Sequence, residues 1–192
     1  KLTAEGNISE NLFPIKTNVV AEGIDLATLS KSLSNSLKIP YSVAGNVKRA
    51  TFQGVLNSQT NVAGLAFLEV GKVSISDSNV QKNIIKDGSL KAGLEFKGKD
   101  LNFKADAAAG SILPRFAGTV KDFLEEGRSL QIKGILPEVN LTEIRNSFWD
   151  VFPDSLLYAG LDGSVSSDFS IDYGKDGLRV DGNVQAKDCF LK

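Results

Sequence analysis

Strict alternation of apolar and polar residues runs through most of this chain, and it leaves few folds open. In "LKAGLEFKG", residues 90–98, Ala92, Leu94 and Phe96 share one side, with Lys91, Glu95 and Lys97 outside that set. "DLNFKADA" at 100–107 sets Leu101, Phe103 and Ala105 against Asn102, Lys104 and Asp106. The same beat returns in "SLQIKGI" (129–135), "SDFSIDY" (167–173) and "GLRVDGNVQA" (177–186). Successive strand side chains point to opposite faces, so this period of two predicts strands with one dry face and one wet face. That habit belongs to antiparallel sheets. The links between runs are short and carry turn residues: "KGKD" (97–100), "EEGRS" (125–129) and "YGKDG" (173–177). Each reads as a hairpin turn. The expectation is a mainly β chain: a curved antiparallel sheet, a meander of hairpins forming a taco-like groove, with two short α-helices.

The helices are predicted where the period changes. Leu26, Leu29, Leu33 and Leu37 recur at helical spacing within 25–37, and Leu141, Ile144 and Phe148 do so within 141–149. Asp25 and Asn140 precede them as N-caps, able to accept from first-turn amides. Asn140 and Glu143 have the spacing of a capping box. Pro40 and Pro153 follow, past the point where each helix should end. The helices are expected to cap the end of a groove rather than form a site. Next to the second lies an aromatic cluster, Phe148, Trp149, Val151 and Phe152, read as packing.

These two interruptions belong to a longer echo. "EGIDLATLSKSLSNSLKIPYSVAGNV" (22–47) and "EVNLTEIRNSFWDVFPDSLLYAGLDGSV" (138–165) share an order: aliphatic residue, Asp or Asn, Leu, amphipathic stretch, proline, then a Gly-bearing strand start. Upstream, "EGNI" (5–8) parallels "AGTV" (117–120). The units span about 2–56 and 114–173 and predict a sheet that grows by repetition. Residues 1–192 are read as one β-groove fragment of a larger repeat protein.

Composition closes off several kinds of chemistry. The chain has no histidine and one cysteine, Cys189. Ser-His-Asp and Cys-His devices are therefore excluded, as are His-based zinc or iron sites. A single cysteine makes no internal disulfide. A net charge of -1 argues against a nucleic-acid partner. The apolar run "VAGLAFL" (62–68) is far shorter than the roughly 20 residues that cross a bilayer. The chain starts with Lys1 and contains no Met, which reads as a processed or engineered fragment. Glu125 and Glu126 are adjacent on a turn and point apart. "DYGKDG" (172–177) fails as a calcium loop: Gly174 holds the third position and Asn183 the place of the ligating Glu. No catalytic residue, metal site or cofactor is expected, and the chain is not read as an enzyme.

The ordered unit resembles the AsmA-like and TamB-like family of bacterial envelope proteins. The residues that carry the likeness are "GIDLATLSKSL" with "YSVAGNV", and "VNLTEIRNSF" with "YAGLDGSVSSDFSIDYGKDGLRVDGNVQAKDC". It covers about two thirds of the chain, and residues 55–115 match less clearly. The resemblance implies a periplasmic protein held to the inner membrane by a helix outside this chain. It implies a hydrophobic groove that binds or conducts phospholipid acyl chains and so supports outer-membrane lipid homeostasis or assembly. The expected groove lining is Leu94, Phe96, Leu101, Phe103, Leu130, Ile132, Phe169, Ile171, Leu178 and Val180. The rival expectation is a structural or adhesive β-module that binds an envelope protein partner by edge-strand addition.

Overall fold

A computed structural model describes residues 2–7, 13–27, 41–77, 82–125, 127–148, 160–175 and 177–191. Their strands are β1 (Leu2–Asn7), β2 (Ile15–Ala21), β3 (Ile24–Asp25), β4 (Tyr41–Ser58), β5 (Asn61–Asp77), β6 (Lys82–Gly98), β7 (Asp100–Ala108), β8 (Arg115–Lys121), β9 (Ser129–Asn140), β10 (Leu161–Gly174) and β11 (Gly177–Leu191). All eleven form one sheet in sequence order, with β3 pairing β4 beside β2. Every pairing is antiparallel. This is the expected meander. Among the described strands the sheet does not close, and β1 and β11 stand at the two ends of the order.

Long strands pair over most of their length because short turns leave the register no slack. Gly98 and Lys99 turn β6 into β7, and Gly98 takes the positive φ of 69° that such a tight reversal needs. Between β2 and β3, Gly23 has φ 65° and donates its N–H to the Val47 carbonyl at 2.8 Å. The chain therefore stays on the same side of β4 through the interruption.

The described residues contain one complete helix, α1 (Leu141–Ser147), where two were expected; Leu26 and Ala27 are also helical. Asn140 is its N-cap and its side chain accepts from the Thr142 amide at 2.7 Å. Phe148 closes it as the C-cap, so the helix is two residues shorter than the spacing suggested. The first expected helix, 25–37, is described only through Leu26 and Ala27. Its cap is nonetheless visible, with the Asp25 carboxylate accepting from the Ala27 amide at 3.0 Å. The remainder of that helix lies outside the described residues, as do Trp149, Val151 and Phe152 of the aromatic cluster.

The echoed segments share a register as well as an order. Ile24 and Asp25 pair with Val47 and Asn46; Val139 and Asn140 pair with Val165 and Ser164. A bulge follows at the same point in each. Between Ala44 and Asn46 the partner on β5 steps from Ser74 to Gly71, and between Asp162 and Ser164 the partner on β11 steps from Phe190 to Lys187. The extra residue takes a left-handed conformation both times, Lys72 at φ 53° and Asp188 at φ 50°. The glycine of the second segment is needed for space: a Cβ on Gly163 would lie 2.7 Å from the Asp188 oxygen and 2.8 Å from the Lys187 oxygen, whereas one on Gly45 would come no nearer than 3.3 Å, to Val73 Cα. In register, then, β5 and β11 are counterparts.

Burial is uneven. Ala21, Val47, Val70, Ala92, Ala109, Ile112 and Val139 are buried, and no large side chain is fully enclosed among the described residues. These positions cluster toward the end of the sheet that α1 covers. The Thr142 hydroxyl donates to the Leu161 carbonyl at 2.8 Å, tying the helix to the start of β10. Gly110, in the turn after β7, sits so close to Ser147 that a Cβ would fall 2.8 Å from its hydroxyl oxygen. The helix thus lies against a strand end, as a cap would.

Candidate functional site: an apolar sheet face

Residues paired across strands share a face, so the register assigns each side chain. One transverse row runs Ala4, Val19, Phe52, Ala66, Leu94, Phe103, Gly118, Ile132, Ile171 and Val180. Two residues along the strands lies a second row, from Gly6 and Thr17 through Gly54, Gly64, Phe96, Leu101, Val120 and Leu130 to Tyr173 and Leu178. On the other side is a third, Leu2, Ala21, Ala50, Leu68, Ala92, Ala105, Phe116, Gly134, Phe169 and Gly182. None of these positions is charged. At about 4.8 Å between strands, the three rows make an apolar lane about 43 Å long.

All ten residues expected to line a groove fall on this face, and seven of them lie in the first two rows on β6, β7, β9 and β10. Leu94, Phe96, Leu101, Phe103, Leu130, Ile132, Phe169 and Ile171 are half-buried, while Leu178 and Val180 are 67% and 61% exposed. A closed core would have enclosed the first eight. Sequence reading left out Phe52, Leu68, Phe116 and Val120, which complete the lane. Their alternation is readable, but without the register nothing says which face each strand turns inward.

Glycines give the lane its shape. The Phe169 ring lies over Gly134, where a Cβ would fall 2.2 Å from Cζ, and the Phe103 ring lies over Gly118, where it would fall 2.6 Å away. Rings settle onto the bare backbone of a neighbouring strand and cover it from water. Aromatic pairs then span two strands: Phe52 meets Phe96 edge-on at 5.5 Å, and Phe116 meets Phe169 at 6.0 Å. Phe123, in the turn after β8, packs on Phe96 at 5.5 Å. Offset and edge-to-face geometries of this kind add about 0.5–1.5 kcal/mol each to the area they bury.

The opposite face is polar. Its central row reads Glu5, Asn18, Gln53, Leu65, Glu95, Asn102, Thr119, Gln131, Asp172 and Arg179. Thr119 donates to Asn102 at 2.8 Å, and Glu95 pairs with Lys97 at 3.0 Å. The Lys97 hydrogen bond holds the Glu95 carboxyl below its ordinary pKa. Glu125 raises the Lys99 ammonium above its ordinary value, and Asp181 raises Arg179 likewise. These pairs are solvent-exposed and contribute little to stability.

A cavity of about 710 Å³ lies on this polar face. Leu65, Gly93, Glu95, Asn102, Lys104, Ala117, Thr119, Gln131 and Lys133 line it, and Leu94 and Phe103 border it from positions whose side chains alternate to the other face. It is a shallow saddle over the small residues Gly93 and Ala117. Its Lys104 and Glu95 lie on separate rows and do not converge on a point where a bond would be made or broken. No cluster of three metal-ligating side chains occurs among the described residues. No described helix is long and apolar enough to cross a membrane.

Comparison with known proteins returns no matching family model, no matching curated protein and no matching solved structure.

Proposed function

We propose that the apolar face is a binding surface for acyl chains, and that the chain is a β-groove segment of an AsmA-like envelope protein that holds or conducts phospholipid in the periplasm. The observation that carries this reading is the uncharged lane, continuous across ten strands and half-exposed along much of its length. Contiguous apolar surface of this extent is rare on soluble proteins unless something covers it. An acyl chain suits it chemically. A methylene taken fully out of water yields about 0.8 kcal/mol. An open face contacts only one side of the chain, so about half of that is realised, or about 6 kcal/mol for a sixteen-carbon chain. After the cost of ordering the ligand, binding is weak and reversible, which is what a conduit needs. Recognition of this kind requires no polar residue at a fixed point. On this reading, the repeat-like units at about 2–56 and 114–173 are successive increments of one groove in a larger protein anchored to the inner membrane elsewhere in its sequence.

The test is native mass spectrometry of the purified protein with displacement of a fluorescent fatty acid. Co-purifying phospholipid and saturable fatty-acid binding are expected. Leu178→Asp with Val180→Asp, at exposed positions where the fold tolerates charge, should weaken binding at least tenfold. Absence of lipid and of fatty-acid binding in the unsubstituted protein would reject the reading.

A further inference from the structure

We propose that the saddle on the polar face binds a phosphate monoester carried on a flat, two-ring body. The phosphate is held between Lys104 and Lys133, and the rings lie over Gly93. The site is on the face opposite the acyl lane and does not rest on it.

Three residues focus the anion end. The hollow of about 710 Å³ and a neighbouring one of about 310 Å³ share only Lys104, Ala117 and Lys133. These are partners in one transverse row, Lys104↔Ala117↔Lys133, so both lysines rise from the same face on either side of a methyl group. Other cations nearby have their own acids: Lys91 has Glu69, Lys97 has Glu95 and Arg115 has Asp106. Lys104 and Lys133 have no ion-pair or side-chain hydrogen-bond partner among the described residues. The acids of β10, Asp168 and Asp172, face Ile135 and Gln131 rather than either lysine. Two like charges thus stand two strand spacings apart, about 9.6 Å at their Cα atoms. A dianion above Ala117 meets both long side chains and compensates both charges, as a single carboxylate does not.

The ring end is open and apolar. Gly93 pairs with Lys104 from the other side, and a Cβ added there would meet nothing within 4 Å. Gly118 and Gly134 on the apolar face are instead covered by the rings of Phe103 and Phe169. Beside the gap, β5 turns two large apolar side chains to the wet face. Leu65 is 64% exposed, and Phe67, the cross-strand partner of Gly93, is 39% exposed. An apolar floor with a few charged groups at one end is the usual make-up of a small-molecule site. From Gly93 to Ala117 is again about 9.6 Å, the span of two fused rings and a phosphate.

The probe is 2-naphthyl phosphate, titrated into isotopically labelled protein. Saturable shifts are expected at the Gly93 amide and the methyl groups of Leu65 and Ala117, with the side chains of Leu94, Phe103 and Ile132 unmoved. Neutral 2-naphthol and inorganic phosphate should each bind at least tenfold more weakly, and excess stearate should not displace the probe. Lys104→Gln with Lys133→Gln should weaken binding at least tenfold, and the paired Lys→Arg changes should retain it. Gly93→Val fills the gap at an exposed strand position that favours a β-branched residue. It should abolish binding of the probe while leaving the thermal midpoint unchanged or higher. No saturable shift at millimolar 2-naphthyl phosphate, equal affinity for 2-naphthol or for inorganic phosphate, or unchanged binding in Gly93→Val overturns the proposal. So do shifts centred on Leu94, Phe103 and Ile132, or displacement by stearate, since the probe is then on the acyl lane.

Discussion

Replacing Gly134 by Ala should destabilise the protein, and the reason is one aromatic ring. The three heavy atoms nearest an added Cβ all belong to Phe169, at 2.2, 2.5 and 2.7 Å. Gly134 is buried and its φ is not in the left-handed region, so alanine is compatible with the backbone. The ring must then tilt away and loosen its contact with Phe116 at 6.0 Å. Overpacking of this kind costs about 1–3 kcal/mol, and the loss of the aromatic pair adds about 0.5–1.5 kcal/mol. Against that, Ala in place of Gly in a strand gains about 0.5–1 kcal/mol. The net expectation is a loss of about 1–3 kcal/mol, read as a lower urea midpoint at constant slope. Phe169→Ala removes the obstruction at its own cost. In that background Gly134→Ala should be neutral or mildly stabilising, so the double-mutant cycle should show coupling of about 1.5–3 kcal/mol. Additive effects of the two substitutions would falsify the arrangement of ring over glycine.

Other consequences can be checked separately. Asn140→Ala should lower stability by about 1 kcal/mol by removing the acceptor for the Thr142 amide, and Asn140→Asp should retain it, as chemical denaturation will show. Asp188→Gly should raise stability by up to about 1 kcal/mol by relieving a left-handed conformation, while Gly163→Ala should lower it, because its Cβ would fall on main-chain atoms of β11. The Glu95 carboxyl should titrate below the ordinary glutamate range by NMR, and return toward it in Lys97→Gln. Its folded pKa is depressed, so the pair's contribution to stability is present above the unfolded-state value and disappears as pH falls through the folded one.

Much of the fold was readable because one signal repeats. Alternation in 90–107 and 167–186 gave the strands, and Gly with Asp between them gave the hairpins. The caps were legible for a related reason: Asp25 and Asn140 stand where helical spacing replaces the beat of two, and each accepts from the amide two residues on. Other features were not legible from local pattern. β5 carries Leu65 and Phe67 on the polar face as well as Ala66 and Leu68 on the apolar one, so its composition hides its alternation. The bulges are set by pairing between distant strands, and nothing in "GKVS" or "KDCF" alone announces a left-handed residue. The face assignments of the ten lining residues were correct in parity, because spacing fixes parity. Their common membership in one lane needed the register. The saddle on the polar face had no sequence signal, since it arises where Gly93 and Ala117 flank Lys104 in the ladder.

That saddle makes the decisive measurement a choice between faces. A spin-labelled stearate added to isotopically labelled protein broadens the resonances of whatever surrounds its chain. The account predicts broadening of methyl and ring signals at Leu94, Phe103, Ile132 and Ile171, with Leu65, Ala117 and Thr119 spared. Broadening centred on Leu65 and Ala117, or no broadening on either face at saturating stearate, would contradict it.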